Sequence, residues 1–298
     1  MPLAVQEIYP NALSGRIHLA GGLYAGDGEI RGATDRHFTW APGENSWTER
    51  APLPQRRHHP NLVGSDDRIF ALGGFDTRAD TLDWTMTAET LIYNPSADQW
   101  TKGPASPEPH GETVCVSIAS RIHVIGGRTP KGTSNQTWTD HIDSDRHFVL
   151  DGGSWERAAP ALVKRNSAAG AVLNDNIHVV GGRQVGGGNL TAHEVYDARE
   201  DRWRNAAPMP QGQGGLAAAA LGGKLYAFGG EFFDNGGGVY PEAWAYDPLT
   251  DQWTAIADMP TPRHGLGAVT LGESIYVIGG AKGVGGRETS SVVEIYRP

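Results

Sequence analysis

One pattern of apolar and polar positions occurs six times along the chain. Each copy contains a short apolar run that ends in two glycines, and the copies are IHLAGG (17–22), IFALGG (69–74), IHVIGG (122–127), IHVVGG (177–182), LYAFGG (225–230) and IYVIGG (275–280). Short apolar runs bounded by glycine and polar turn residues predict β-strands. A repeat of about fifty residues predicts that the chain is an array of equivalent units rather than several unrelated domains.

The same further elements surround each glycine pair. A run of small and apolar residues comes before the glycine-ended run and is joined to it by a tight polar turn. A third run ends in an aromatic residue, often within Tyr-Asp-Pro. A tryptophan follows seven residues after that aromatic residue, at Trp47, Trp100, Trp203 and Trp253, and opens a fourth run. Four short strands joined by turns predict one antiparallel sheet, and six stacked sheets would bury each other's faces. The chain is therefore predicted to be all-β.

Residues 161–173, ALVKRNSAAGAVL, have the composition of a helix when they are taken alone. In register with the other five units, the same residues form a loop followed by the first strand of a sheet. The repeat predicts the strand.

This arrangement resembles the kelch repeat, whose glycine pair, aromatic residue and tryptophan all stand at the expected spacing. The resemblance implies a six-bladed β-propeller with four-stranded antiparallel blades, as a single domain over residues 1–298. The last unit ends at Pro298 without a tryptophan strand. The last blade is therefore expected either to have three strands or to pair with residues 2–5.

Composition narrows the possible partners. A net charge of −9 argues against general binding to nucleic acid, which needs a basic face. The single cysteine, Cys115, excludes an internal disulfide. The N-terminus shows no signal-peptide pattern, and no stretch approaches eighteen apolar residues. A cytoplasmic location without membrane contact is the expectation.

The loops after the glycine pairs are long and varied, whereas the turns before the tryptophans are short, so we expect the working face on the loop side. Basic residues outnumber acidic ones there, which predicts an anion site at the mouth of the central channel. The predicted ligand-binding residues are Arg57, Arg128, Arg165, Arg183, Arg263 and Lys282, with Trp84, Trp138 and Phe232 as an apolar wall. Ion pairs between blades are the alternative role for these arginines.

His58, His110 and His264 stand at related places before the first strands and, with Glu112, offer a conceivable metal site. Their spacing matches no familiar ligand motif, and histidines bonded to backbone or water are the favoured interpretation. Neither a metal nor any other cofactor is predicted.

Three functions remain open. The first is recognition of an anionic peptide or small molecule, or of a protein partner, at the mouth. The second is an enzyme of epimerase, mutarotase, cyclase or lyase type, with Glu231 as base and His58 or His264 as acid. In that case Arg183 and Arg263 would hold an anionic substrate. The architecture of sialic-acid epimerases resembles the one expected for this chain. The third is a structural assembly module.

Overall fold

A computed structural model describes residues 1–26, 29–77 and 83–298, and in these residues six antiparallel sheets carry the repeat. The first two consist of Asn11–Leu13, Arg16–Ala20, His37–Trp40 and Thr48–Arg50, and of Asn61–Ser65, Arg68–Leu72, Thr90–Asn94 and Gln99–Lys102. The next two consist of Val114–Ile118, Arg121–Ile125, His147–Asp151 and Ser154–Arg157, and of Ala169–Leu173, Asn176–Val180, His193–Asp197 and Arg202–Asn205. The last two consist of Ala217–Leu221, Lys224–Phe228, Ala243–Asp247 and Gln252–Ala255, and of Gly267–Leu271, Ser274–Ile278 and Val293–Tyr296.

The six sheets are the blades of a propeller, numbered here in chain order. In every blade the first strand, called the inner strand, contacts the inner strands of both neighbouring blades, and blade one contacts blade six. Together the inner strands enclose a central channel with a cavity of about 350 Å³. Alanine is the most frequent residue in these strands because neighbouring backbones come closest at the axis, and small residues fit there.

The core is divided among the contacts between blades. In the described residues, six clusters of buried apolar side chains each join two neighbouring blades. Val5 and Ile8 pack with Tyr276 and Ile278, so the N-terminal segment fills the contact between blade six and blade one. The fold therefore closes on itself through apolar packing, as stacked sheets require.

The glycine pairs hold the blades together through the backbone. Both glycines of each pair have positive φ, and a Cβ on Gly280 would lie 2.6 Å from the carbonyl oxygen of His264. The second glycine donates its N–H to a carbonyl of the next blade in all six pairs: Gly22 to Arg57, Gly74 to His110, Gly127 to Arg165, Gly182 to Gln213, Gly230 to Arg263 and Gly280 to Val5. Glycine is needed at these positions because the backbone is left-handed and approaches the next blade closely.

Blade six has three strands, which is one of the two arrangements that the sequence left open. Val5–Gln6 pairs instead with Leu23–Gly26 on the loop side. The backbone of Val5 also donates to Ser290 and accepts from Gly280. In the other blades, residues just before the inner strand accept the corresponding backbone hydrogen bond from a glycine pair. The 161–173 segment contains the strand Ala169–Leu173, as the repeat predicts.

Several of the variable loops are themselves ordered as small sheets. Their strands are Val5–Gln6, Leu23–Gly26 and Glu29–Ala33; Arg57–His58, Phe75–Asp76 and Thr85–Met86; Arg128–Pro130 and His141–Asp143; Arg183–Gln184 and Gly188–Asn189; and Glu231–Phe232 and Gly238–Val239. Short 3₁₀ helices span Trp138–Asp140 and Asp234–Gly236. No helix within the described ranges is long and apolar enough to cross a membrane.

Candidate functional site at the channel mouth

A ring of six residues surrounds the loop-side end of the channel. Each lies six residues before the end of its inner strand and has positive φ, and we call this set the mouth ring: Glu7, His59, Glu112, Ser167, Gly215 and Gly265. Backbone N–H groups link the ring from blade to blade, from His59 to Glu7, Ser167 to Glu112, Gly215 to Ser167, Gly265 to Gly215 and Glu7 to Gly265. The left-handed backbone is uncommon for residues with side chains, and its recurrence here marks a place that the surrounding structure holds firmly.

A second set of residues, directly after the glycine pairs, points toward the mouth ring. Arg183 exchanges backbone hydrogen bonds with Asn166, the residue before ring member Ser167, and Glu231 donates its N–H to Gly214, the residue before Gly215. Arg128 pairs with Gly111 in the same way. The backbone thus fixes the direction of these three side chains.

The charged side chains of the two sets form a continuous series. On one side, Nε2 of His59 lies 2.9 Å from Oε2 of Glu7, and Oε1 of Glu7 lies 3.7 Å from Nδ1 of His264. Nε2 of His264 lies 3.4 Å from Oε2 of Glu231. Two histidines and two carboxylates therefore alternate along this side of the mouth.

The series continues through an arginine. Nη1 of Arg183 donates to Oε1 of Glu231 at 2.7 Å, and its Nη2 donates to the hydroxyl of Ser167 at 3.2 Å. That hydroxyl donates to Oε2 of Glu112 at 2.5 Å. Nη1 of Arg128 lies 3.9 Å from Oε1 of Glu112. We call these eight residues the mouth cluster: Glu7, His59, Glu112, Arg128, Ser167, Arg183, Glu231 and His264.

The electrostatics of the cluster depend on these contacts. Burial raises the pKa of Glu7, but His59, His264 and Arg183 outweigh it and lower this pKa to about 2. For Arg183, burial opposes the charge while Glu231, Glu112 and Glu7 favour it, and the pKa is raised. Three carboxylates face two guanidinium groups, so the cluster carries a charge of −1 when both histidines are neutral (2 − 3 = −1). The excess of basic residues expected at this mouth is therefore offset by the carboxylates of Glu7, Glu112 and Glu231.

Three of the predicted arginines lie inside the blades. Arg57, Arg165 and Arg263 are buried and occupy equivalent positions, each with its side chain against the third strand of its own blade. Their carboxylate partners are Glu89 at 2.7 Å, Glu194 at 2.5 Å and Glu294 at 3.1 Å. The structure thus places these three in ion pairs within their own blades, whereas the alternative role expected from the sequence was ion pairs between blades.

Arg128, Trp138 and Trp84 form a separate corner of the mouth. The guanidinium carbon of Arg128 lies 3.2 Å from the ring centroid of Trp138, and its Nη2 donates to the Trp138 carbonyl. Trp84 packs edge-on against Trp138 at 5.2 Å and against His58 at 5.0 Å. Trp84 and Trp138, two residues of the predicted aromatic wall, therefore contact each other on this side.

On the other side, Phe232 packs against Tyr240 at 5.1 Å. Its neighbour Phe233, which the sequence did not single out, is 60% exposed with its ring 5.3 Å from the guanidinium carbon of Arg183. Lys282 is half-exposed and lies 3.6 Å from Glu288. Of the predicted basic residues, Arg183 is the one that the structure joins to both Glu231 and the mouth ring.

The three histidines weighed as metal ligands have separate partners. The ring nitrogens of His58 contact Nδ1 of His59 at 2.7 Å and the carbonyl of Asp83 at 3.0 Å, and burial lowers the pKa of His58 to about 3. Burial also lowers the pKa of His110, to about 4. Nε2 of His264 lies 2.8 Å from the carbonyl of Gly285. Over the described ranges, no group of three or more histidine, cysteine or carboxylate side chains is placed to hold a metal ion.

Sequence reasoning missed Glu7, His59 and Ser167 as site residues. They lie in the ring position, which is found by counting six residues back from the end of each inner strand. Glycine at the same place in blades five and six marks a position of positive φ, and that signal was available from the repeat. Their mutual contacts depend on how neighbouring blades meet, which one blade's sequence does not specify.

Comparisons with known proteins concern mainly the fold. The family model described as the KLHDC2/KLHL20/DRC7 Kelch-repeats domain matches residues 115–294. Kelch-like protein terF of Aspergillus terreus is 29% identical over 231 residues, which are 76% of this chain and 50% of that protein. Beta-scruin of Limulus polyphemus is 28% identical over 225 residues, 72% of this chain and 24% of that protein.

The matched segments thus make up half or less of these two curated relatives. A solved structure described as "Structure of YjhT" superposes with a TM-score of 0.80 at 16% identity, covering 99% of this chain and 98% of that one. At this identity the likeness concerns the fold alone.

Proposed function

Because this chain belongs to the kelch-repeat family, whose propellers typically act as interaction modules, we propose that it recognises an anionic group of a peptide or small molecule at the mouth ring. A protein partner could present that group as readily as a free ligand. Binding residues concentrate on the irregular connections of a rigid scaffold, which here converge at the mouth.

The observation that carries the proposal is that Arg183 is held in position by hydrogen bonds and yet remains partly exposed. Its guanidinium is held by Glu231 and by the Ser167 hydroxyl, yet its side chain keeps 16% exposure at the mouth. An arginine fixed in this way loses little side-chain entropy when an anion arrives, and its planar fork matches a carboxylate or phosphate. Phe233 beside it offers an apolar surface for the rest of the ligand.

The test is a binding screen with a matched pair of variants. Small carboxylates, phosphate esters and acidic peptides are tested for an increase in Tm, and positive compounds are then measured by calorimetry. Arg183→Gln should weaken binding at least about tenfold, since a charged hydrogen bond contributes roughly 1.5–3 kcal/mol. Arg199→Gln, on the exposed turn of the opposite face, should leave affinity unchanged. Equal affinity in the two variants would refute the proposal.

One arrangement favours an enzymatic alternative at the same place. Glu231 and His264 are nearly buried and lie 3.4 Å apart beside Arg183, so they could act as a base and an acid on a substrate held by that arginine. His58 takes no part in this alternative because burial lowers its pKa to about 3, so at neutral pH it is not the imidazolium that would act as the acid. The reaction would be of the epimerase, mutarotase, cyclase or lyase type.

Glu231→Gln tests that alternative separately. The amide keeps the shape of the side chain and can still accept a hydrogen bond from Arg183, but it cannot take up a proton. Turnover of a substrate found in the screen should disappear while its affinity changes little. Turnover that survives in Glu231→Gln would eliminate Glu231 as the base.

A further inference from the structure

The mouth cluster offers solvent two groups of opposite charge. The side chains of Glu7 and Arg183 are 15% and 16% exposed, whereas His59, Glu112, Glu231 and His264 are all at 4% or below. A molecule that enters from the loop side therefore meets one carboxylate and one guanidinium. The other charges of the cluster lie behind them and hold them in position.

Both exposed groups keep unused hydrogen-bonding capacity. Oε2 of Glu7 is engaged by His59 at 2.9 Å, but in the part of the chain that the structure describes Oε1 has only the longer contact of 3.7 Å with Nδ1 of His264. That Nδ1 is itself buried and makes no hydrogen bond within the described residues. Arg183 has five N–H donors, and two of its contacts are with Glu231 and Ser167.

Two glycines shape the space between the charges. At Gly265 a Cβ would lie 2.7 Å from Oε1 of Glu7, so the missing side chain is what allows the carboxylate to lie there. At Gly215 a Cβ would meet nothing closer than 3.7 Å, its nearest neighbours being His264 and Glu231. The other four positions of the mouth ring carry side chains, and the Glu7 carboxylate occupies the space at Gly265, so the open position of the ring is at Gly215 in blade five.

We propose that the ligand of the mouth is zwitterionic, with its carboxylate on Arg183, its ammonium on Glu7 and its connecting atoms over Gly215. This inference rests on the proposed function and specifies the class of ligand. A purely anionic molecule would bring a second negative charge close to the Glu7 carboxylate, which disfavours binding. A zwitterion satisfies both exposed groups, and the exposed ring of Phe233 can cover its methylene groups.

The state of Glu7 agrees with this assignment. Its pKa of about 2 keeps it ionised at any physiological pH, so it attracts a cation and cannot donate a proton to a second carboxylate. The distance between the ligand's two charges is the remaining variable. It can be found with a series of ω-amino acids of increasing length.

Calorimetry on the full chain with glycine, 4-aminobutanoate and 6-aminohexanoate, each beside the carboxylate and the amine of the same length, tests the proposal. One length should bind at least about tenfold more tightly than both of its singly charged counterparts at equal ionic strength. Glu7→Gln should abolish that preference while keeping the weak binding of the carboxylate, and Arg183→Gln should abolish binding of both. Glu273→Gln, on an exposed turn of the opposite face, serves as the control.

The outcomes separate the two proposals. If carboxylates bind as tightly as the zwitterions and Glu7→Gln changes nothing, the zwitterion proposal is refuted while the anion proposal stands. If no compound in either screen binds through Arg183, both are refuted. Glu7→Asp, which keeps the charge but shortens the side chain, should shift the preferred length of the ligand, and unchanged preference would also count against the role of Glu7. Thermal unfolding of each variant confirms that it is folded.

Discussion

At the scale of single residues, aspartates in the outer turns of blades two, four and five tie each of these blades to the one before it. Oδ1 of Asp251 accepts from the hydroxyl of Tyr246 at 2.7 Å and from the backbone N–H of Ala207 in the preceding blade at 2.9 Å. Nε1 of Trp253 donates to the carbonyl of the same alanine. This geometry explains the spacing between Tyr246 and Trp253. The tyrosine must reach Asp251, while Asp251 and the tryptophan must both reach Ala207.

Asp251→Ala is expected to destabilise the fold by about 1–3 kcal/mol, because it leaves the buried Tyr246 hydroxyl without its acceptor. The left-handed backbone at this position, with φ of 52°, adds to the cost for alanine. Urea unfolding measures the loss. Asp251→Asn retains an acceptor and tolerates that backbone, so it should keep most of the stability, and an equal loss in both variants would contradict the explanation.

Residue types also show where sequence reasoning reached its limit. Glycine pairs, aromatic residues and tryptophans were predictable because they recur at nearly fixed spacing, and the glycine pairs make the same backbone contact in all six blades. The roles of Arg57 and Arg183 were not, because both are arginines on the loop side. One is buried against Glu89 in its own blade and the other lies against Glu231 of the next, and only the packing of the blades distinguishes them.

At the scale of the elements, the strand-ending glycines and the turn glycines have different constraints. Gly280 has φ of 89° and lies against the His264 carbonyl, whereas Gly222, in the turn after an inner strand, has φ of 58° and open space around its Cα. Ala119 occupies the turn position of Gly222 in blade three with φ of 49°. The turn position therefore tolerates a side chain, and the strand end does not.

Gly280→Ala should accordingly cost several kcal/mol or prevent folding, since steric overlap with backbone adds to strain of roughly 1–3 kcal/mol. Gly222→Ala should cost about 1 kcal/mol, the strain of the left-handed backbone alone. Thermal unfolding of both variants gives the comparison. Similar Tm values for the two would show that the close approach to His264 is relaxed in solution.

The elements of the working face were only partly predictable. The repeat placed the loops on one side of the blades and marked their lengths. It did not reveal that Arg183–Gln184 and Glu231–Phe232 are strands of small hairpins, because their partner strands are short and glycine-rich. These hairpins fix Arg183 and Glu231, the first residues after their glycine pairs, and so position both side chains in the mouth cluster.

At the scale of the whole molecule, the blades are joined by buried histidines as well as by apolar contacts. Blade four holds one such pair, in which Nδ1 of His178 lies 2.9 Å from Nε2 of His193, while Nδ1 of His193 lies 3.1 Å from the carbonyl of Ala207. His193 also packs edge-on against Tyr246 of the next blade. Blades one and three hold equivalent pairs, His18 with His37 and His123 with His147.

These pairs make the stability of the propeller depend on pH. Burial lowers the pKa of His178 to about 3 and that of His193 to about 4, whereas both are near 6.5 in an unfolded chain. Above pH 6.5 neither state binds these protons, so the stability is fully present. As the pH falls below 6.5, the unfolded chain binds protons that the folded chain does not bind. The free energy of unfolding therefore decreases with falling pH until the pH reaches the folded pKa values.

Blade five suggests the variant that isolates this effect, because Tyr226 and Ala243 stand where blade four has His178 and His193. The double variant His178→Tyr with His193→Ala removes two titrating groups, and the Ala207 carbonyl keeps its bond from Trp253. Between pH 7 and 5.5 the parent chain should lose about 2–3 kcal/mol more than this variant in urea unfolding. Parallel pH profiles would mean that the pair accepts protons in the folded state, and that the contact between blades four and five opens to water.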